Sequence, residues 1–269
     1  MTGDERRQTA QQAEEQREQL SPVEELQVDL LGAVVTGQDE PPLELMKIDL
    51  HCHTEASADC ITPIAQIPAR CEARAIRVQA ITDHNEIWGA QKLQELVAAN
   101  GHPLTIIVGE EVSTTEGEII GLFLHEKIPA GLSPEETVER ILVQGGLVLL
   151  PHGFDPLKRF RLQDAARERV AGQIHIVETF NARISRPSWN RAAVAWAEKC
   201  GKLMSAGSDA HTLADIGEAW VEVPLQPITN PEQLLMALQG GVPMGEWTHP
   251  VRAYAYKLLD RARSWWRRR

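Results

Sequence analysis

The sequence predicts an α/β fold in which repeated β-α units surround a parallel sheet or barrel, and three observations carry that expectation. Short apolar runs alternate with helical stretches through most of the chain, the form taken by repeated strand-helix units. Nearly every apolar run closes on a metal-ligating or acidic residue. At 269 residues and 43% hydrophobic, the chain is long enough for one large domain with a substantial core.

The expected strands are Ile48–Leu50, Val78–Ile81, Leu104–Val108, Ile119–Leu124, Leu147–Leu150, Ile174–Val177 and Leu203–Ala206. Helices fill the gaps. The clearest starts at Ser133-Pro134-Glu135-Glu136, a capping box with proline at the first helical position, and Gly145-Gly146 ends it. Another begins at Asn230-Pro231. Residues 1–44 are rich in Glu, Gln and Arg and are expected to form an acidic, partly disordered or helical appendage, with a helix start at Ser21-Pro22. Residues 45–250 are expected to form the main barrel-like body, and 251–269 a basic, aromatic helix or tail ending in Trp265-Trp266-Arg267-Arg268-Arg269.

The net charge of −11 argues against a broad nucleic-acid-binding face, though cations held in one pocket would reverse the local potential. Four cysteines without CxxC spacing, no signal peptide at the start and no apolar run near the roughly 20 residues that span a bilayer lead to the expectation of a cytoplasmic protein without transmembrane segments or disulfides.

His51-Cys52-His53 follows the first strand. Side chains two residues apart on an extended segment share a face, so both imidazoles can reach one ion while Cys52 turns away. Asp59, Thr82-Asp83-His84, Glu111, His152, Glu178 and Asp209-Ala210-His211 recur after later runs, and in a parallel barrel the rim where strands end gathers groups from many strands around one point. Mixed imidazole and carboxylate suits manganese, zinc or iron, and the supply of donors exceeds the three protein ligands of a single catalytic zinc, so two or three divalent ions are expected.

These motifs, in this order over residues 46–217, resemble the PHP superfamily, the polymerase and histidinol phosphatase domain family. The resemblance implies a distorted (β/α)7 TIM-like barrel and a metal-dependent phosphoesterase. It further implies one ion held by His51, His53, Glu111 and Asp209, a second bridged by Glu111 and bound by His152, and a third on Asp59, His84 and His211. Many members carry a histidine where this chain has Glu118; Glu118 is expected to ligate in its place, with His125 as the alternative.

The implied reaction is phosphate-ester hydrolysis by a metal-bridging hydroxide, with Glu111, Asp209 and His211 as the catalytic set. Arg183, Asn181 and Arg159, the last within the loop Lys158-Arg159-Phe160-Arg161, are candidates to grip phosphate. Asp83 and Glu178 are expected to orient ligand histidines. The substrate is expected to be a small phosphorylated metabolite, a nucleotide or a short oligonucleotide end. An amidohydrolase-like C–N hydrolase and a non-catalytic PHP-like regulatory module are the alternatives. His102, His175 and His249 are read as ordinary histidines, and Glu110 as a solvated neighbour of Glu111.

Overall fold

A computed structural model describes residues 44–249, 251, 252 and 255. The expected appendage over 1–44 and the basic tail over 251–269 fall almost wholly outside the described residues.

All seven expected strands form, and two more follow them. In chain order they are β1 (Leu45–Asp49), β2 (Ile76–Ile81), β3 (Thr105–Thr114), β4 (Gly117–Leu122), β5 (Leu147–Leu150), β6 (Ile176–Asn181), β7 (Leu203–Gly207), β8 (Ala219–Pro224) and β9 (Val242–Gly245). Among the described residues six α-helices pack with them: α1 (Ile67–Ala73), α2 (Trp88–Ala99), α3 (Pro134–Val143), α4 (Asp164–Val170), α5 (Pro187–Cys200) and α6 (Pro231–Gln239). The strands make one sheet in the order β7-β6-β5-β4-β3-β2-β1-β8-β9.

The sheet is not wholly parallel. β4 runs antiparallel to β3 and to β5, because only Thr115 and Glu116 separate β3 from β4, and that is room for a hairpin turn but not for a crossover helix. The missed pair β8 and β9 is also antiparallel, β8 lying along β1 and β9 along β8. The two helix starts legible in the sequence do form. Ser133 Oγ accepts from Glu136 N at 3.2 Å within a capping box, and Asn230 Oδ1 accepts from Gln233 N at 2.9 Å.

β1 changes partner along its length. Its first half pairs with β8, from Leu45 opposite Pro224 to Ile48 opposite Val221. Beyond Asp49 the chain turns to β7 instead: Leu50 N donates to Ala206 O at 3.2 Å, Asp209 N to His51 O at 2.8 Å and His53 N to Ala210 O at 3.0 Å. These bonds tie β7, one end of the strand order, to the continuation of β1 and bring the sheet round into a nearly closed barrel.

Alternation along each strand separates two cores. In β5, Leu147 and Leu149 join Ile48, Val78, Ile107, Ile120 and Ile176 inside the barrel, while Val148 and Leu150 join the layer under the helices with Leu93, Ile141 and Trp196. In β3, Ile107 faces inward and Ile106 and Val108 outward. The same parity sends Glu111 to the interior and Glu110 to the helix side.

Candidate metal centre

The inward-facing carboxylate of Glu111 is the hub of a cage built on six strands: Glu111 lies within β3, Glu118 at the start of β4, and the rest beyond the ends of β1, β2, β5 and β7. Its Oε2 lies 3.3 Å from His51 Nε2, 3.4 Å from His53 Nε2 and 3.2 Å from His84 Nδ1, and its Oε1 lies 3.0 Å from His152 Nε2. Asp209 Oδ1 stands 3.6 Å from His53 Nε2 and 3.9 Å from His51 Nε2. His211 Nε2 meets Asp59 Oδ2 at 3.0 Å, and His84 Nε2 lies 3.9 Å from Asp59 Oδ1. Glu118 completes the ring, 3.5 Å from His84 Nδ1 and 3.8 Å from His152 Nε2.

All nine residues expected as ligands therefore share one mouth. Their atoms fall into overlapping groups that could each hold a cation: His51, His53 and Glu111; His51, His152 and Asp209; His84, Glu111 and Glu118; His53, His84 and His211. His125, the alternative to Glu118, is exposed and lies elsewhere, its backbone N–H bound to Gln144 Oε1 at 2.9 Å.

The electrostatics fit a cationic occupant. Burial disfavours a charged His51, yet Glu178, Glu111 and Asp209 raise its pKa well above the usual value; the same field would hold a metal ion. Burial, with His211 and His84 nearby, pushes His53 down to about 3, which keeps it in the neutral form that ligates. Burial, reinforced by the charges of Glu111 and Asp209, pushes Glu118 up to about 10, so these three carboxylates call for positive charge among them. Five imidazoles and four carboxylates, with no thiolate among them, suit divalent ions of the zinc, manganese or iron kind.

Second contacts hold the ligands in place. His51 Nδ1 pairs with Glu178 Oε1 at 2.9 Å, and Glu178 Oε2 accepts from His152 N at 2.7 Å, so one buried carboxylate fixes two of the candidate ligands. Asp83 touches the site indirectly. It accepts from Thr54 N at 2.6 Å, Thr54 Oγ1 at 2.7 Å and Ser57 Oγ at 2.9 Å, and Ser57 Oγ in turn lies 3.2 Å from His53 Nδ1 and accepts from His84 N at 2.9 Å. Asp83 thus orders the loop, and through Ser57 the rings, where direct contact with an imidazole was expected.

The sequence reading missed Asp49. It is fully buried and accepts from His51 N at 3.2 Å, Ser208 N at 3.0 Å and Ser208 Oγ at 2.6 Å. Ile48 and Leu50 both face the barrel interior, so strict alternation would turn His51 outward. The turn closed on Asp49 breaks that alternation and aims both histidines into the mouth. The signal was present as an acidic residue two positions before the pair. His152 and Asp209 also depart from ordinary backbone, with φ of 29° and 50° in the left-handed region, a strain that clusters at working sites.

The expected phosphate grips are redistributed. Arg183 Nη1 donates to Asp209 O at 2.8 Å and also contacts His211 Nδ1, beside the cage as expected. Asn181 is fully buried, its amide donating to Glu178 Oε2 at 3.0 Å and Asp209 Oδ2 at 3.3 Å, so its side-chain nitrogen is committed to the carboxylates of the cage. Arg159 is exposed and stacks on Phe160; its neighbour Lys158 reaches the site instead, its Nζ bound to Asp209 Oδ2. Glu110 is not solvated. It is buried under the helix layer and accepts from Ile128 N at 2.8 Å. His102 lies outside the cage, 3.7 Å from Glu72, and His175 Nδ1 accepts from Val148 N at 3.0 Å.

A distorted barrel whose rim collects five histidines and four carboxylates around one shared glutamate defines a metal-site protein of the barrel hydrolase kind. The model of the PHP domain matches residues 49–182, and that of the PHP-associated segment matches residues 187–243. The chain belongs to the PHP family. An uncharacterized protein of Methanocaldococcus jannaschii is 38% identical over 192 residues, which span 70% of this chain and 75% of that one. A 5'-3' exoribonuclease of Haemophilus influenzae is 31% identical over 137 residues, 46% of this chain and 49% of the enzyme. A two-domain Bacteroides vulgatus protein, described as containing a predicted PHP-like metal-dependent phosphoesterase, shares the fold with a TM-score of 0.58 at 13% identity, over 78% of this chain and 70% of that one. Among the described residues, no helix is long and apolar enough to cross a membrane.

Proposed function

We propose that this protein is a metal-dependent hydrolase of phosphate esters, acting on a small phosphorylated metabolite, a nucleotide or the end of an oligonucleotide. The observation that carries the reading is the shared position of Glu111 at the centre of overlapping imidazole-carboxylate groups, with two cationic side chains, Lys158 and Arg183, set against Asp209 at the edge. The family and the exoribonuclease name of one relative support phosphorus as the electrophile.

His51, His53, Glu111 and Asp209 would hold one ion, Glu111, Glu118 and His152 a second, and Asp59, His84 and His211 a third. When bound, divalent ions supply Lewis acidity and bring a water pKa toward neutrality, so no serine or cysteine nucleophile is required. The chain's own residues do the rest. Asp59 and His84, with side chains 42% and 26% exposed against 7% or less for the other seven cage residues, mark the side from which a substrate enters. Lys158 and Arg183, partly exposed beside it, neutralise non-bridging phosphoryl oxygens as charge builds there. Glu178 and Asn181 keep the ligands aimed while the substrate turns over.

The test is metal analysis of purified protein joined to a screen of phosphomonoesters, phosphodiesters and amides. Phosphate release that stops on chelation and returns with manganese, zinc or iron is expected. Turnover of the amides alone would overturn the reading.

A further inference from the structure

Asp155 lies outside the cage, three residues after His152, and is fully buried. A buried carboxylate is costly unless its oxygens are hydrogen-bonded, so its partners show what it is for. They lie on two different loops. Oδ1 accepts from Leu157 N at 2.9 Å, and Oδ2 accepts from Ser185 N at 2.7 Å. The main chain adds to the first tie: Asp155 N donates to His152 O at 3.2 Å and Lys158 N donates to Asp155 O at 3.1 Å, so the residue is the pivot of the turn that leads from His152 to Lys158.

Each of these loops delivers one cation to the same residue of the cage. The loop after β5 brings Lys158 Nζ to Asp209 Oδ2, and the loop after β6 brings Arg183 Nη1 to Asp209 O at 2.8 Å, two residues before Ser185. Lysine and arginine side chains are long and would otherwise sample many positions, and two independent loops would let their spacing drift. We infer that Asp155 is a positioning residue that ties the two loops together and so fixes the separation of Lys158 and Arg183, making them a single preformed clamp for a phosphoryl anion. This rests on the phosphoesterase reading above.

Asp155→Asn keeps the volume but leaves one acceptor oxygen for two N–H donors, so one loop is released. Phosphate affinity of the full-length, metal-loaded protein would be measured by calorimetry with inorganic phosphate, alongside metal content, thermal midpoint and steady-state kinetics. Asp155→Asn is expected to weaken phosphate binding about tenfold, the scale of one lost hydrogen bond to a charged group, and to raise KM with metal content unchanged. Lys158→Ala should weaken it comparably, and the double variant should lose clearly less than the two single losses combined, since the tie acts through the spacing of Lys158 from Arg183. Asp155→Glu, which keeps the charge but pushes both oxygens outward by one methylene, serves as the second variant and should show the same loss if the amide variant folds poorly. Unchanged phosphate affinity in both variants, or losses that add fully to that of Lys158→Ala, would overturn the clamp. Failure of the wild-type metal-loaded protein to bind phosphate would instead overturn the phosphoesterase reading itself.

Discussion

Glu110 and Glu111 are the same residue type, adjacent on one strand, both buried, and their protons behave in opposite ways. Burial raises the pKa of either carboxyl. At Glu111 this is outweighed by the charges of His51 and His84 and the hydrogen bond from His152, which hold it well below the usual range. At Glu110, on the helix side, burial wins against one hydrogen bond from Ile128 N and the more distant Lys127, and the carboxyl is pushed up to about 7. Strand parity alone decides which glutamate enters the cage and which is left beneath helices, so function here is a matter of register as much as of residue type.

The largest expected effect is at the hub. Glu111→Gln keeps the shape but removes the shared charge, and metal affinity should fall by more than the 10–100-fold typical of residues that only orient a ligand, with turnover lost in step. Equilibrium dialysis with manganese or zinc checks this, and retention of metal would sink the assignment of Glu111. Next comes Glu178→Gln, which leaves every ligand in place but weakens the hold on His51 Nδ1 and His152 N; a loss of about 10–100-fold in metal affinity is expected by the same dialysis.

Glu110→Gln should act the other way. A carboxyl raised from 4.5 to about 7 binds its proton more tightly in the folded state, so its contribution is fully present below pH 4.5 and is lost as pH rises through 7. Glutamine never ionises, and denaturant unfolding should therefore show the variant about 1–3 kcal/mol more stable than wild type at pH 8, with the gap closing toward pH 4.5. A gap that stays constant with pH would contradict the environment described for this residue. The smallest effect belongs to His102→Ala, outside the cage. It should leave metal content unchanged and alter stability by no more than about 0.5 kcal/mol in thermal unfolding.

Much of this molecule was legible before its coordinates. The seven strand positions follow from apolar runs, and the cage follows from what closes them, because a barrel rim is the place where residues distant in sequence converge. What escaped depends on geometry that no local pattern encodes. β8 alternates half-buried and buried residues beside a long loop, and its antiparallel place next to β1 arises from packing across the chain. Which of Lys158, Arg159 and Arg161 points inward depends on the turn pivoting at Asp155. Glu110 was misjudged because its burial comes from the segment around Ile128, distant in sequence. Asp49 was overlooked since its partners at Ser208 lie 159 positions further along the chain.

The stretch from Leu50 to His53 is both the latch that joins the first strand to the seventh and the source of two imidazoles. Gly207, at the end of β7, lies against that latch, where an added methyl carbon would sit 2.4 Å from His51 Cβ and 2.1 Å from Glu178 Oε1. A cation held by His51 and His53 would therefore brace the closure of the ring as well. Stripping ions from the purified protein should speed amide exchange at Leu50, His53 and Asp209 before it does so in β3 or β5, and saturating them should slow it again.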